Sequence, residues 1–236
     1  YAKASPDDIA IRIRAINRGP DPAPLTLLPT LWLRNTWSWG YPDEHEHPMQ
    51  LDGDAVQATV GGGVGTYRLT CHEQGSWLFT DNETNNERLY GQPNTTPFQK
   101  DGFHRFLIEG EQGAINPVGE GTKAAALLQH TLEPGETWTV ELRLRAVEQL
   151  DSAADSAPFG DAFNALFEAR EQEWQAYMEH RLPGLTPDDR LIHNRIWTEP
   201  GHIQQRLNHL TAHMENVIQK YLRSEFASIN EYNEHA

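Results

Sequence analysis

Short runs in which apolar and polar residues alternate recur through the first 150 residues of the chain. The clearest run spans 8–17, where Ile9, Ile11 and Ile13 alternate with polar or small residues. A period of two is typical of a β-strand that buries one of its faces. The pattern therefore predicts a strand at 8–17, followed by a turn rich in proline and glycine.

Seven further segments have a β-rich or alternating composition. They are 25–34, 55–60, 65–71, 76–80, 103–109, 123–132 and 137–146. Glu133-Pro134-Gly135-Glu136 separates the last two, and this tetrapeptide predicts a tight hairpin between them. Eight strands divided by turn signals, with no long helix between them, predict a mainly β fold of the antiparallel β-sandwich type.

The composition changes after residue 150. Small residues over 151–160 predict a linker, and apolar residues at helical spacing predict a helix at 161–180. A capping signature at Thr186 and a long apolar stripe at 203–226 predict two more helices. We therefore expect a β-sandwich domain at 1–150, a linker at 151–160 and a helical segment at 161–236.

Charge and composition exclude several classes of partner. The 236 residues carry a formal charge of -15, from 34 acidic and 19 basic side chains, so the chain repels phosphate backbones and we expect no nucleic-acid partner. No apolar run approaches the roughly 20 residues that a membrane span requires. A single cysteine, Cys71, and no leader-like start favour a reducing, cytoplasmic compartment. A signal peptide upstream of Tyr1 stays an open alternative.

Two apolar runs, 28–40 and 79–91, break abruptly into polar residues, as strands do where they lead into recognition loops. The first run contains Trp37 and Trp39. Flat indole rings match the apolar faces of pyranose sugars, which makes both residues candidates for sugar stacking. Two tryptophans on one face of a strand also pack into a core or a domain interface, and this ordinary explanation is favoured.

The second run holds six candidate residues for contact or chemistry: Asn82, Glu83, Asn85, Asn86, Glu87 and Arg88. Glycosidases use two carboxyl groups roughly 5 to 10 Å apart, and Glu83 with Glu87 is a candidate pair. The alternative is that the amide-rich loop is held by its own side-chain hydrogen bonds while its acids are solvated or paired with Arg88. The alternative is favoured, because nothing in the spacing separates the pKa values of the two acids.

Two other motifs carry weaker signals. His45 and His47 alternate in an acidic stretch, which suits a divalent metal, but the sequence indicates no third ligand. We therefore expect no metal site and no cofactor. The glycine-rich run 61–65 precedes a strand instead of opening a helix, which favours a hairpin turn over a phosphate-binding loop.

Four segments, 28–40, 78–94, 100–106 and 115–126, together resemble the N-terminal region of bacterial glycoside hydrolase family 63 proteins, relatives of mannosyl-oligosaccharide glucosidase. The resemblance extends over about 1–196. In that family an N-terminal β-sandwich of the super-sandwich type packs against a C-terminal (α/α)6 barrel. The barrel cleaves α-glucosidic or related linkages with inversion and carries both catalytic carboxyl groups.

The resemblance implies a non-catalytic sandwich domain of a family 63-like glycoside hydrolase, a glucosidase of oligosaccharide metabolism, that supports the sugar site of the barrel. It assigns no catalytic residue to this chain. Trp37, Trp39 and the loop 82–88 are candidates for contact with carbohydrate or with the barrel. One alternative is a free-standing carbohydrate-binding or scaffolding protein that self-associates through the stripe 203–226. An independent hydrolase using Glu83 and Glu87 is the least favoured.

Overall fold

The computed structural model describes residues 1–40, 45–150 and 158–181. Within these ranges the chain forms eleven strands and three α-helices. The strands are β1 Ala2–Ser5, β2 Asp8–Ile16, β3 Ala23–Leu27, β4 Thr30–Trp32, β5 Met49–Asp52, β6 Ala55–Val60, β7 Gly65–Cys71, β8 Ser76–Thr80, β9 Glu120–Gly121, β10 Lys123–Leu132 and β11 Thr137–Ala146. The helices are α1 Asn86–Tyr90, α2 Gly102–Leu107 and α3 Asp161–Arg181.

The strands form two antiparallel sheets. The larger sheet has seven strands in the order β1-β2-β11-β7-β6-β5-β9. The smaller sheet has four strands, with β10 at its centre, β8 on one side and β3 and β4 on the other. The prediction of a mainly β, antiparallel fold followed by a helix is confirmed.

The main hydrophobic core lies between the two sheets. Val56, Val140 and Leu142 from the larger sheet pack with Phe79 and Ala124 from the smaller one, and all five side chains are buried. They occupy alternate positions on their strands, so one face of each strand supplies the core. Removing this apolar surface from water is the main force that holds the sheets together.

The start of helix α3 packs on the outer face of the larger sheet, over β1 and β2. Its Phe163 is buried against Ala2 and Ala10, and the guanidinium of Arg12 lies 4.5 Å from the centre of the Phe167 ring. The strands and the helix up to Trp174 therefore belong to one compact unit, Tyr1–Trp174.

A second compact unit comprises Gln175–Ala236, of which the structure describes the end of α3. Most of the linker predicted at 151–160 lies outside the described residues, because 151–157 are not described. The two helices predicted after residue 181 also lie outside them.

Helix α2 covers the outer face of the smaller sheet. Phe103 and Phe106 of the helix pack on Leu78 of β8 and on Ala125 and Leu127 of β10. The first six residues of β10, 123–128, are therefore covered on both faces. This burial explains why their sequence, KAAALL, is apolar without alternation.

The strand predicted at 103–109 is wrong, because Gly102–Leu107 is helical. Phe103 and Phe106 are three residues apart, so a helix places both on the sheet, whereas a strand would turn them to opposite faces. A short apolar run is compatible with a helix or a strand. Here the sheet surface beneath the segment favours the helix.

The hairpin predicted around 133–136 is also wrong. The turn forms, with the Glu136 amide donating to the Glu133 carbonyl at 3.0 Å, but β10 and β11 do not pair with each other. Strand β11 pairs with β2 and β7 in the larger sheet, so the turn carries the chain across the core from one sheet to the other.

The strand predicted at 25–34 is divided at Pro29. Leu27 of β3 lies opposite Leu128 and Leu31 of β4 lies opposite Ala124, so one register against β10 continues through the break. Proline lacks the amide that the ladder needs, while its carbonyl still accepts from the Ala126 amide at 3.1 Å.

Cys71 lies half-buried at the end of β7, against the main core. Burial, and secondly the charge of the nearby Glu73 carboxylate, raise the pKa of its thiol to about 12. The thiolate is the nucleophile, so we expect iodoacetamide at pH 8 to modify native Cys71 slower than the urea-unfolded chain by roughly two orders of magnitude. Mass spectrometry of the alkylated chain measures both rates.

The variant Glu73→Gln separates the two causes of this shift. Because burial is the larger cause, removing the carboxylate charge should speed the native reaction only a few-fold. Equal rates in the native and unfolded chains would contradict the placement of Cys71.

Candidate functional site

The two polar segments identified in the sequence meet in space. The indole Nε1 of Trp37 donates to Glu83 Oε1 at 2.6 Å, and the amide Nδ2 of Asn35 donates to the same oxygen at 2.8 Å. Asn35 Nδ2 also lies 2.8 Å from the Asn82 carbonyl. We call these four residues, Asn35, Trp37, Asn82 and Glu83, the polar site.

Asn82 joins the polar site to the smaller sheet. Its side-chain Nδ2 donates to the Leu33 carbonyl at 2.8 Å, just beyond β4, and its backbone amide donates to Thr122 Oγ1 at 2.7 Å, just before β10. The site therefore lies at one end of this sheet, where β4 ends, β8 ends and β10 begins.

Asn85, at the start of α1, is buried and its side chain makes several hydrogen bonds. Its Oδ1 accepts from the Arg88 amide at 3.0 Å, as an N-cap residue does, and from Asn94 Nδ2 at 2.9 Å. Its own Nδ2 donates to Asp101 Oδ2 at 3.0 Å. Asn94 Oδ1 in turn accepts from the Asn86 amide at 2.8 Å. The amide-rich loop is thus held by its own side chains, as the favoured interpretation of its sequence expected.

Arg88 and Glu87 lie on the exposed side of α1. Arg88 Nη2 donates to Glu109 Oε1 at 3.0 Å, and this hydrogen bond, followed by the charge of Glu109, raises the pKa of Arg88. The contact fastens α1 to the end of α2. Glu87 is exposed, and its carboxylate makes no hydrogen bond with any described residue.

Sequence reasoning missed Arg105, which is buried beneath this surface. Its guanidinium donates to Glu111 Oε1 at 2.7 Å, to the Pro97 carbonyl at 2.6 Å and to Asp101 Oδ1 at 3.3 Å. A charged residue between Phe103 and Phe106 is the signal that points to it, because a buried guanidinium needs several acceptors.

Trp37 and Trp39 do not lie on a strand, so the expectation that they share a strand face is wrong. They belong to a 3-10 turn, Trp37–Trp39, in which residues two apart point in different directions. Trp37 is half-buried and meets His47 edge to face, with 5.5 Å between ring centres. Trp39 is 52% exposed, with the Arg34 guanidinium 4.8 Å from its ring centre. Trp39 is therefore the more exposed of the two rings.

His47 makes structural contacts in the described part of the chain. Its Nδ1 accepts from the Gly61 amide at 3.2 Å, in the glycine-rich turn that connects β6 to β7, and its ring packs on Trp37. His45 is exposed. Among the described residues, no three His, Cys, Asp or Glu side chains are grouped in a way that holds a metal ion.

Comparison with known proteins shows that the chain is similar to part of a much longer protein. No protein-family profile matches the chain. It is 27% identical, over 199 aligned residues, to the uncharacterized protein YMR196W of Saccharomyces cerevisiae. The alignment covers 72% of this chain and 18% of the yeast protein, so the chain spans less than a fifth of that relative's length. No described helix is long and apolar enough to cross a membrane.

Proposed function

We propose that the chain is a non-catalytic β-sandwich domain of a longer, family 63-like glycoside hydrolase of the α-glucosidase type, which acts on oligosaccharides. The domain supports the sugar site of a separate catalytic barrel. One observation carries the proposal. Glu83, one of the two candidate acids, receives two hydrogen bonds through Oε1 and joins the loop of Trp37 to the loop of Asn82.

The arrangement of the two acids suits support better than hydrolysis. A general acid needs a pKa raised by burial, and its partner needs an ionised carboxyl facing the same substrate. Glu83 is instead engaged by its neighbours, since its Oε1 accepts from Trp37 and Asn35, and Glu87 is exposed on α1. The interpretation as an independent hydrolase therefore has no support in the contacts of this pair.

The surface next to the polar site is suited to contact with another domain. Leu89, Tyr90 and Ile108 are 61%, 68% and 73% exposed, and the Arg88–Glu109 contact joins α1 to the segment that follows α2. Large apolar side chains exposed on a rigid framework are typical of interaction surfaces. The greater length of the yeast relative is consistent with such a domain being part of a larger protein.

The test compares the isolated chain with a longer protein in which a barrel follows it. We expect the isolated chain to release no glucose or mannose from α-glucosides and α-mannosides, and the longer protein to release one of them. In the longer protein, Trp39→Ala should lower kcat/KM about tenfold with an unchanged melting temperature, because it removes an exposed stacking ring.

Trp32→Ala is the matched control, since Trp32 is also exposed but lies on β4, outside the 3-10 turn. Release of sugar by the isolated chain, abolished by Glu83→Gln, would overturn the proposal. Equal kcat/KM in the longer protein and its Trp39→Ala variant would show that Trp39 is not part of the proposed sugar contact.

The free-standing, self-associating alternative stays a prediction, because the stripe 203–226 lies outside the described residues.

A further inference from the structure

A cleft opens between the two sheets at the end formed by the β5–β6 turn, the β7–β8 loop and the middle of β10. Its volume is about 560 Å³. Ligand pockets in proteins range from roughly 300 to 1,000 Å³, so the cleft has room for a small molecule. Its walls include Leu51, Asp54, Cys71, Glu73, Trp77 and Leu128.

The apolar part of the cleft is already rigid. Trp77 packs against the edge of the main core, and its indole Nε1 donates to the Asp54 carbonyl at 2.9 Å, which fixes the ring across the cleft. Cys71 and Leu128 contribute further apolar surface from the same core. A ligand that contacts Trp77 therefore does not need to order the ring, which lowers the entropic cost of binding.

The rim of the cleft is polar and contains both hydrogen-bond donors and hydrogen-bond acceptors. Gln74 and Ser76 are exposed, and their side chains make no hydrogen bond with any described residue. The Asp54 side chain is 86% exposed, and Glu73 is held by the Glu141 amide at 3.3 Å. The rim thus offers donors and acceptors together.

The lining contains two carboxylates and no lysine or arginine. Arg68, outside the lining, pairs with Asp54 at 3.5 Å and also with Asp52, so carboxylates still outnumber cations around the cleft and disfavour anionic ligands. A purely apolar ligand would cover the rim groups without replacing their hydrogen bonds to water. A neutral molecule with a flat apolar face and several hydroxyl groups satisfies both parts of the cleft.

We infer that this cleft is a second carbohydrate site, which binds a neutral pyranose unit with one face on Trp77 and with its hydroxyl groups on Asp54, Gln74 and Ser76. Pyranose rings stack on indoles through their C–H faces, and hydroxyl groups both donate and accept. The site uses none of the polar-site residues, but the choice of glucosides and mannosides as probes rests on the proposed function.

The test is to titrate the 236-residue chain with methyl α-glucoside, methyl α-mannoside and glucose 6-phosphate. Each titration is monitored by ¹H–¹⁵N NMR. We expect saturable shifts at Trp77 and Ser76 with one of the neutral sugars, at millimolar affinity, and none with the phosphate. The double variant Gln74→Ala/Ser76→Ala should weaken binding about tenfold, because two hydrogen bonds are lost from an exposed loop.

Trp77→Leu should abolish the shifts, but this side chain also contacts the core, so the double variant is the test that does not endanger folding. Trp32→Ala is the control and should leave sugar binding at the cleft unchanged, since Trp32 is exposed on β4 and lies outside the cleft. Absence of saturable binding, unchanged affinity in the double variant, equal binding of glucose 6-phosphate, or loss of binding in Trp32→Ala would each overturn the inference.

Discussion

Replacing Gly121 with alanine should lower the free energy of unfolding by about 3 kcal/mol or more, the upper range for overpacking a close contact. A Cβ atom on Gly121 would overlap the Thr80 carbonyl oxygen and lie 2.9 Å from its carbonyl carbon. The Thr80 backbone cannot move aside easily, because Thr80 is paired with Lys123 and its carbonyl accepts from the Thr122 amide at 3.1 Å. Urea denaturation followed by circular dichroism measures the loss.

Gly113→Ala is the matched control for this variant. Gly113 lies in the same long insertion between β8 and β10, has open space around a Cβ, and has a φ outside the left-handed region. We expect its stability to stay within about 0.5 kcal/mol of the parent chain. If the two glycine variants unfold at the same urea concentration, the close contact between Gly121 and Thr80 is wrong.

The second large effect is expected at the polar site. Glu83→Ala should destabilise the chain by about 2 kcal/mol, because it removes a charged acceptor and leaves the half-buried Trp37 indole N–H without its hydrogen bond. The freed loop should expose Trp37 to water. Urea denaturation reports the loss of stability, and a red shift of tryptophan fluorescence in the native chain reports the exposure.

Two further variants test whether the loss of the Glu83 carboxylate causes this destabilisation. Glu83→Gln keeps an oxygen acceptor without the charge, so we expect it to lose about half as much stability as Glu83→Ala. Glu87→Ala removes an exposed carboxylate from the same loop and should change stability by less than about 0.5 kcal/mol. Equal effects of Glu83→Ala and Glu87→Ala would contradict a specific role of Glu83 in holding the loops.

Together these two contacts explain how a long polar insertion is held at the end of the smaller sheet. Gly121 and Thr80 bring its two ends into backbone contact, and Glu83 ties it to the loop after β4. The insertion is then an extension of the sandwich and not a mobile loop above it. Such rigidity is what a surface that orients a neighbouring domain or a sugar requires.

Much of the strand content was predictable, because local patterns report backbone conformation. The segments 55–60, 65–71, 76–80, 123–132 and 137–146 match the observed strands, and each is bounded by residues that favour turns. The helix predicted at 161–180 agrees with α3 Asp161–Arg181, because an amphipathic run of that length has no competing strand pattern.

The candidate site was predictable in composition but not in arrangement. Trp37, Asn82 and Glu83 were singled out because apolar runs ended there in polar and aromatic residues. Nothing in the spacing indicated that Glu83 would be bound by Trp37 and Asn35, more than forty positions away, or that Trp39 would be the exposed ring. Arg105 was missed for a different reason: its acceptors lie within eight positions of it, but its burial depends on the helix and the loops that fold around it.

The sequence by itself determined most of the longer strands, the turns between them and the position of α3, since these depend on neighbouring residues. Only the tertiary structure decided that β10 and β11 lie in different sheets, that 103–109 is helical, and that Glu83 holds two loops together. The physical reason is that these outcomes depend on which distant surface covers each segment. A tight turn serves a hairpin or a crossing between sheets equally well, and the pairing of β11 with the distant strands β2 and β7 decides for the crossing.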